Sequence, residues 1–183
     1  MKRILHYIYS LLAILLVMLS FSSCHSSKKT SQNSGKGNTG IFLPSEVEKK
    51  GEWYKKASAI RKQIVDEAYT WLGTPYAYAC SEKGVATDCS GMVLQVYEKI
   101  VGVKLPRNSA KQAEFCKIIP RKEVVIGDLV FFATGKNEEK ISHVGIMIDD
   151  KNFIHASASK GVVISDMTQP YYVRTFKGFG RVE

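Results

Sequence analysis

The sequence predicts an α+β domain, helices first and an antiparallel sheet after them, from three observations. Apolar residues keep helical spacing from Ala57 to Trp71 and again from Met92 to Ile100. Beyond Val124 the pattern changes to short apolar runs that read as strands. Gly, Asp, Asn and Ser clusters punctuate those runs as turns, and no second linker divides them.

The chain opens with an export signal. Lys2 and Arg3 form its positive n-region, Leu11 to Leu19 its apolar core, and Ser22 and Ser23 lead to Cys24. The stretch Ile4 to Phe21 approaches transmembrane length, but His6, Tyr7, Tyr9 and Ser10 dilute its first half. A cysteine after a hydrophobic segment and two small residues resembles a bacterial lipobox, in which Cys24 is acylated and becomes the mature N-terminus. Phe21 stands where that motif has an aliphatic residue; a plain cleaved signal and a retained anchor are the alternatives.

Residues 25–43 then form a tether. His25 to Gly40 holds Ser, Lys, Asn, Gly and Thr without apolar periodicity and cannot bury enough surface to fold. The formal charge of +9 belongs partly to these segments, because Lys2, Arg3, Lys28, Lys29 and Lys36 all precede the domain. Scattered charge on an exported chain gives no support to a nucleic-acid partner. Residues 44–183 remain as one domain, long enough for one sizeable core.

Within the domain, Ser45 and Glu48 make a capping box for a first helix through Trp53, Ala57, Ile60, Ile64, Val65, Ala68 and Trp71, ending at Gly73. Thr74-Pro75 forces extended chain, so Tyr76 and Tyr78 stand on a non-helical segment. After the loop Ser81 to Thr87, a second helix runs from about Cys89 to Val101, with Met92, Val93, Val96, Tyr97 and Ile100 as its stripe and Gly102 as its stop. Leu105-Pro106-Arg107 is extended, and Asn108 or Ser109 caps a short third helix through about Cys116. Val124-Val125-Ile126 leads into a turn at Gly127-Asp128. Strands follow at Leu129 to Ala133, His143 to Ile148, Phe153 to Ser157, Val162 to Ser165 and Phe176 to Val182, with a polar loop at Thr134 to Lys140.

Cys89 is the residue on which chemistry turns. It stands at a helix start, where the dipole favours a thiolate. A cysteine nucleophile needs a base, a group that orients the base, and donors for the oxyanion. His143 can be the base; on its strand it shares a face with Gly145 and Met147, opposite Val144, Ile146 and Ile148. If Asp149 to Lys151 form a three-residue loop, His155 opposes Gly145 and the two imidazoles become diagonal neighbours on one face. A two-residue loop would put them on opposite faces.

Taken singly, each residue has a plainer reading. Cys89 is a small buried hydrophobe, His143 and His155 are satisfied structural histidines, and Tyr76 is a packing residue. Their joint occurrence in one small exported domain favours chemistry. Cys80 and Cys116 can pair in an oxidising compartment or stay as two partly buried thiols. No ligand spacing suggests zinc.

Six segments carry a resemblance over Ala57 to about Val182. They are Leu72-Gly73-Thr74-Pro75-Tyr76, Asp88-Cys89-Ser90-Gly91, Leu105-Pro106-Arg107, Gly127-Asp128-Leu129-Val130-Phe131-Phe132, His143-Val144-Gly145-Ile146 and Phe153-Ile154-His155-Ala156-Ser157. Together they resemble the NlpC/p60 family of cell-wall cysteine peptidases, and within it the murein endopeptidase lipoproteins of the Spr type.

The resemblance implies a papain-like α+β fold with the nucleophile helix packed on an antiparallel sheet. It implies Cys89 as nucleophile, His143 as base, His155 as its orienting residue, and Tyr76 with the backbone N–H of Cys89 as oxyanion donors. Asp88 and Ser90 fall where relatives contact the peptide, and Arg107 can receive a substrate carboxylate. The implied reaction is hydrolysis of a γ-D-glutamyl–diamino acid or D-alanyl–diamino acid bond through a thioester, without metal or organic cofactor. The implied setting is a monomeric outer-membrane lipoprotein facing the periplasm, held through Cys24, with peptidoglycan stem peptides as partner. One departure stands out: Ala79-Cys80 replaces the family's Gly-Gly, where a positive φ would be less comfortable. A catalytically silent wall-binding lipoprotein and a papain-like lipid acyltransferase or amidase are the rival readings.

Overall fold

The computed structural model describes residues 55–183, so the expected signal, Cys24, the tether, the Ser45 cap and Trp53 lie outside the described residues. Among the described residues no helix is long and apolar enough to cross a membrane.

The first described helix, α1 (Ala59–Tyr69), is shorter than its apolar spacing implies. Ser58 in front of it is extended, with ψ at 158°, which interrupts the helical run expected from Ser45. At the far end the N–H groups of Thr70, Trp71 and Leu72 bond carbonyls three residues back, tightening the last turn before Gly73 at φ 81°. A two-rung hairpin, β1 (Ser81–Glu82) with β2 (Ala86–Thr87), replaces the featureless loop expected there.

Helix α2 (Cys89–Val101) has the expected limits. Its N-cap is Asp88, whose carboxylate accepts the Gly91 N–H at 2.7 Å, and Gly102 ends it at φ 73°. Met92, Val93 and Val96 are fully buried along it, each worth about 1.5–3 kcal/mol of transfer free energy. Helix α3 (Ser109–Phe115) is capped by Asn108, which accepts the Lys111 N–H.

The remaining chain builds one six-stranded antiparallel sheet. Its strands are β3 (Lys117–Ile119), β4 (Leu129–Phe132), β5 (His143–Met147), β6 (Asn152–Ser157), β7 (Gly161–Asp166) and β8 (Phe176–Arg181), in the order β3-β8-β4-β5-β6-β7. Further additions to the sequence reading are β3 at one edge, a 3-10 turn at Arg121–Glu123, and α4 (Pro170–Thr175) between β7 and β8. Both faces of the centre are covered. Leu129, Phe131, Val144, Ile146 and Ile154 pack with α1 and α2, while Val130, Phe132, Met147, Phe153 and Phe179 pack on the other face with Tyr172 of α4. Burial on both sides is why β4 reads as an unbroken apolar run rather than an alternation.

A buried carboxylate ties the chain together. Asp128, whose side chain is fully enclosed, takes Arg61 of α1 at 2.9 Å and two bonds from Arg181 of β8 at 2.9 and 2.7 Å. Tyr97 of α2 donates to the Gly127 carbonyl beside it. Cys116 is a buried free thiol, so it forms no bond with Cys80.

Candidate active site

Each residue of Asp88-Cys89-Ser90-Gly91 has a separate local job. The Asp88 carboxylate accepts Gly91 N–H at 2.7 Å, Ala79 N–H at 2.9 Å and both arms of the Arg107 guanidinium at 2.8 Å. Arg107 also donates to the Cys80 carbonyl at 3.0 Å, and the Ser90 hydroxyl sits 2.8 Å from the Arg107 carbonyl. Gly91 must be glycine: a Cβ there would stand 2.4 Å from the Cys80 carbonyl oxygen. The hairpin β1–β2 thereby presses directly on the first turn of α2. Ala79, in place of a family glycine, does adopt the left-handed conformation at φ 61°, held by its bond to Asp88.

The electrostatics of this clamp are resolved. Burial raises the Asp88 pKa, but the Arg107 hydrogen bonds and the Gly91 amide outweigh it and hold the carboxyl below its usual range. Asp88, Ser90 and Arg107 therefore meet beside Cys89, yet their polar atoms are spent largely on one another. The Arg107 side chain keeps 41% of its surface exposed.

Cys89 itself is buried at the opening of α2. Burial pushes its thiol up to about 11, opposed by the Val144 backbone N–H and assisted by the Asp88 charge. The amides of Ser90 and Cys89 also pull it down. The helix start thus acts in the expected sense, but desolvation opposes it more strongly and favours the neutral thiol. Tyr76 reaches the same place by a different route: it bridges Thr87 in parallel, with Thr87 N–H on the Pro75 carbonyl and Ala77 N–H on the Thr87 carbonyl. Burial raises the Tyr76 pKa, the charge of Cys89 raises it further, and the ring packs against the core cluster that contains Cys89.

The histidine end is built by a turn. Asp149 accepts the N–H groups of Lys151 and Asn152 at 2.9 and 2.7 Å, fixing the connection between β5 and β6 at Asp149 to Lys151. The resulting register pairs Ile146 with Ile154 and Met147 with Phe153, the three-residue-loop register that the two histidines require. His143 and His155 then meet directly, Nε2 to Nδ1 at 2.8 Å. Gly145 makes room for them, since a Cβ there would lie 2.5 Å from the Phe153 ring and 3.2 Å from His155 Cβ.

The chain of contacts continues beyond the sequence-predicted set. His155 Nε2 lies 2.9 Å from Ser165 Oγ and 3.1 Å from Tyr172 Oη, and Tyr172 donates to Ser165 at 3.2 Å. His155 is 2% exposed and lies edge-on to His143. Burial pulls the His143 pKa down to about 4; burial and then His143 pull His155 down as well. Ser165 could have been found by carrying the register through the second hairpin, where His155 opposes Val163 and Ser165 stands two residues on, on the same face.

The Cys89 thiol thus faces the amide of Val144, and the imidazole preceding that amide is hydrogen-bonded to a second imidazole, with burial favouring the uncharged form of both groups. Such an arrangement can deliver a sulfur nucleophile and accept its proton.

Residues 73–181 match the NlpC/P60 family. Over 124 residues the chain is 37% identical to murein DD-endopeptidase MepS/murein LD-carboxypeptidase of Escherichia coli K12, covering 67% of this chain and 63% of that protein. It is 40% identical over 112 residues to the probable endopeptidase NlpC of the same organism, covering 61% of this chain and 71% of the relative. The crystal structure of a lipoprotein-like NLP/P60 protein of Staphylococcus aureus superposes with a TM-score of 0.62 at 31% identity, covering 69% of this chain and 42% of that one. The chain spans less than two thirds of MepS, but the family match takes in Tyr76, Cys89 and both histidines. This chain belongs to the NlpC/P60 family.

Proposed function

We propose that the protein is a peptidoglycan endopeptidase, a cysteine peptidase that hydrolyses stem-peptide or cross-link amide bonds through Cys89, His143 and His155. The observation that supports this best is the 2.8 Å contact between the two imidazoles, on the strand whose Val144 amide faces the Cys89 sulfur.

The Cys89 sulfur attacks the scissile carbonyl carbon as its proton passes to His143, forming a C–S bond and an oxyanion. Tyr76 Oη and the Cys89 N–H receive that oxyanion. His143 returns the proton to the departing amine, the C–N bond breaks, and a thioester remains. Water then loses a proton to His143 and adds to the thioester, the C–S bond breaks, and the thiol regains its proton. Low proton affinity at His143 and high affinity at Cys89 mean that the ion pair forms during attack rather than before it.

The exposed part of Arg107 is the surface offered to a substrate carboxylate, with Asp88 and Ser90 holding it in place. The name of the relative MepS, a murein DD-endopeptidase, favours the D-alanyl–diamino acid cross-link over the γ-D-glutamyl–diamino acid bond. Lys2, Arg3, the apolar core and Cys24 support a lipoprotein, which we place in the outer membrane facing the periplasm.

Mass spectrometry of muropeptides treated with the full chain and with Cys89→Ala tests the reading. Cleavage by the parent alone, at a single bond type, is the expected result; cleavage by the alanine variant rejects Cys89 as nucleophile. Fractionating cells that produce the full chain should find the parent with membranes and Cys24→Ser in the soluble fraction; a parent that is itself soluble rejects the anchor.

A further inference from the structure

We propose that Ser165 and Tyr172 act as a tautomer lock, two positioning residues that keep a proton on His155 Nε2 and thereby make His143 a base toward Cys89. This rests on the reading of Cys89 and His143 given above, and it extends the working constellation by two residues.

A neutral imidazole has one donor and one acceptor nitrogen. His143 Nε2 is committed to His155 Nδ1 at 2.8 Å, so Nδ1 is the ring nitrogen of His143 left to take the thiol proton. The pair has two arrangements. In one, His143 Nε2–H donates to His155 Nδ1, His155 carries its proton on Nε2, and His143 Nδ1 is a lone pair. In the other every proton is reversed, and His143 Nδ1 is already protonated and useless as a base.

The far end of His155 decides between them. Tyr172 Oη is in donor geometry to Ser165 at 3.2 Å, and with its proton directed there its oxygen faces His155 Nε2 as an acceptor. A lone pair on His155 Nε2 would then face a lone pair on Tyr172 Oη at 3.1 Å. A proton on Nε2 instead meets an acceptor on either side, at 2.9 Å from Ser165 and 3.1 Å from Tyr172. The same arrangement suits the imidazolium that His143 becomes, because its Nε2–H still points at a lone pair. Each hydroxyl matters separately: without Tyr172 no lone pair opposes a bare Nε2, which can then take the Ser165 O–H, and without Ser165 the Tyr172 O–H is free to donate to it.

Nitrogen-15 NMR of the histidine rings, recorded on Cys89→Ala protein without substrate, reads the tautomer directly. The expected parent signature is a protonated Nε2 and an unprotonated Nδ1 on His155. Tyr172→Phe keeps the ring against Phe132 and Phe153 and is expected to move His155 toward the opposite tautomer. In the active background Tyr172→Phe and Ser165→Ala should each lower kcat by about 10–100-fold with KM little changed. Ser165→Thr, which retains the hydroxyl, should restore both tautomer and rate. An unchanged His155 signature in Tyr172→Phe, or kcat within twofold of the parent in both variants, overturns the lock. Muropeptide cleavage that survives Cys89→Ala or His143→Ala rejects the catalytic reading instead, and leaves the ring measurement standing on its own.

Discussion

The two ends of the site are held in opposite ways. At the cysteine end Asp88 and Arg107 carry full charges and bind each other with charge-assisted bonds at 2.8 Å. At the histidine end four side chains, His143, His155, Ser165 and Tyr172, are linked without any carboxylate or cation among them. The difference follows what each end has to do. No proton moves through the Asp88 clamp, so strong fixed charges cost the chemistry nothing and their opposed signs limit the field at the sulfur. In the proposed mechanism a proton does move onto His143. A carboxylate in the place of His155 would stabilise imidazolium in advance, whereas a neutral partner leaves the imidazole free to accept.

The largest test of this contrast is the pH dependence of Cys89 itself. With the thiol near 11, alkylation at Cys89 followed by mass spectrometry should accelerate about tenfold per pH unit from about pH 7 to 10. A plateau across the neutral range would mean a preformed thiolate–imidazolium pair and would break the comparison. Stability carries the same signature. The raised thiol pKa contributes stability fully present below its ordinary 9.0 and lost as pH rises toward 11. The depressed His143 contributes stability fully present above 6.5 and lost as pH falls toward 4, so urea melts should show a plateau between those limits.

The charged end should matter more to folding than the neutral end. Asp88→Ala removes a helix cap, the Ala79 tie and the Arg107 partner together, and should cost about 2–3 kcal/mol in urea unfolding. That figure sits below the loss for a fully buried pair because Arg107 is 41% exposed. Equal losses from Asp88→Ala and Tyr172→Phe would remove the distinction between the ends. The smallest effect is a gain: Ala79→Gly relieves a left-handed alanine at φ 61° and should stabilise by about 0.5 kcal/mol after the added chain entropy. A loss there would show that Ala79 is packed rather than strained.

The parts of this molecule set by periodicity were legible in its sequence, and the parts set by long-range contact were not. Helix α2 could be bounded from Cys89 to Val101 because its stripe and its stop, Gly102, are local. For the β5–β6 register the sequence left two loop lengths open, and only the turn made by Asp149 selects the three-residue one that brings His143 and His155 together. Hairpin β1–β2 has two residues per strand, too few for an alternation to show. Helix α4 begins at Pro170 and continues through Tyr171, Tyr172 and Val173, weak helix formers whose helix is imposed by packing rather than propensity. Tyr172 was hidden for that reason. The pairing of Arg107 with Asp88, 19 residues apart, has no spacing signal at all, which is why both read as substrate contacts rather than as a clamp.

The Asp128 clamp has a consequence for how this domain can be joined to others. Arg61 lies two residues into α1 and Arg181 closes β8, so the first and last described elements are stitched to the same carboxylate. Asp128 immediately precedes β4, whose opposite end, Phe132, lies beside His143. Four residues of strand separate the stitch from the imidazole by roughly 13 Å. Sequence grafted at either side of the domain therefore departs near Asp128, at the end of β4 remote from His143, and the two points of departure are close together. A module with that anatomy can be inserted into a longer chain, or permuted, without stretching the fold or passing over His143.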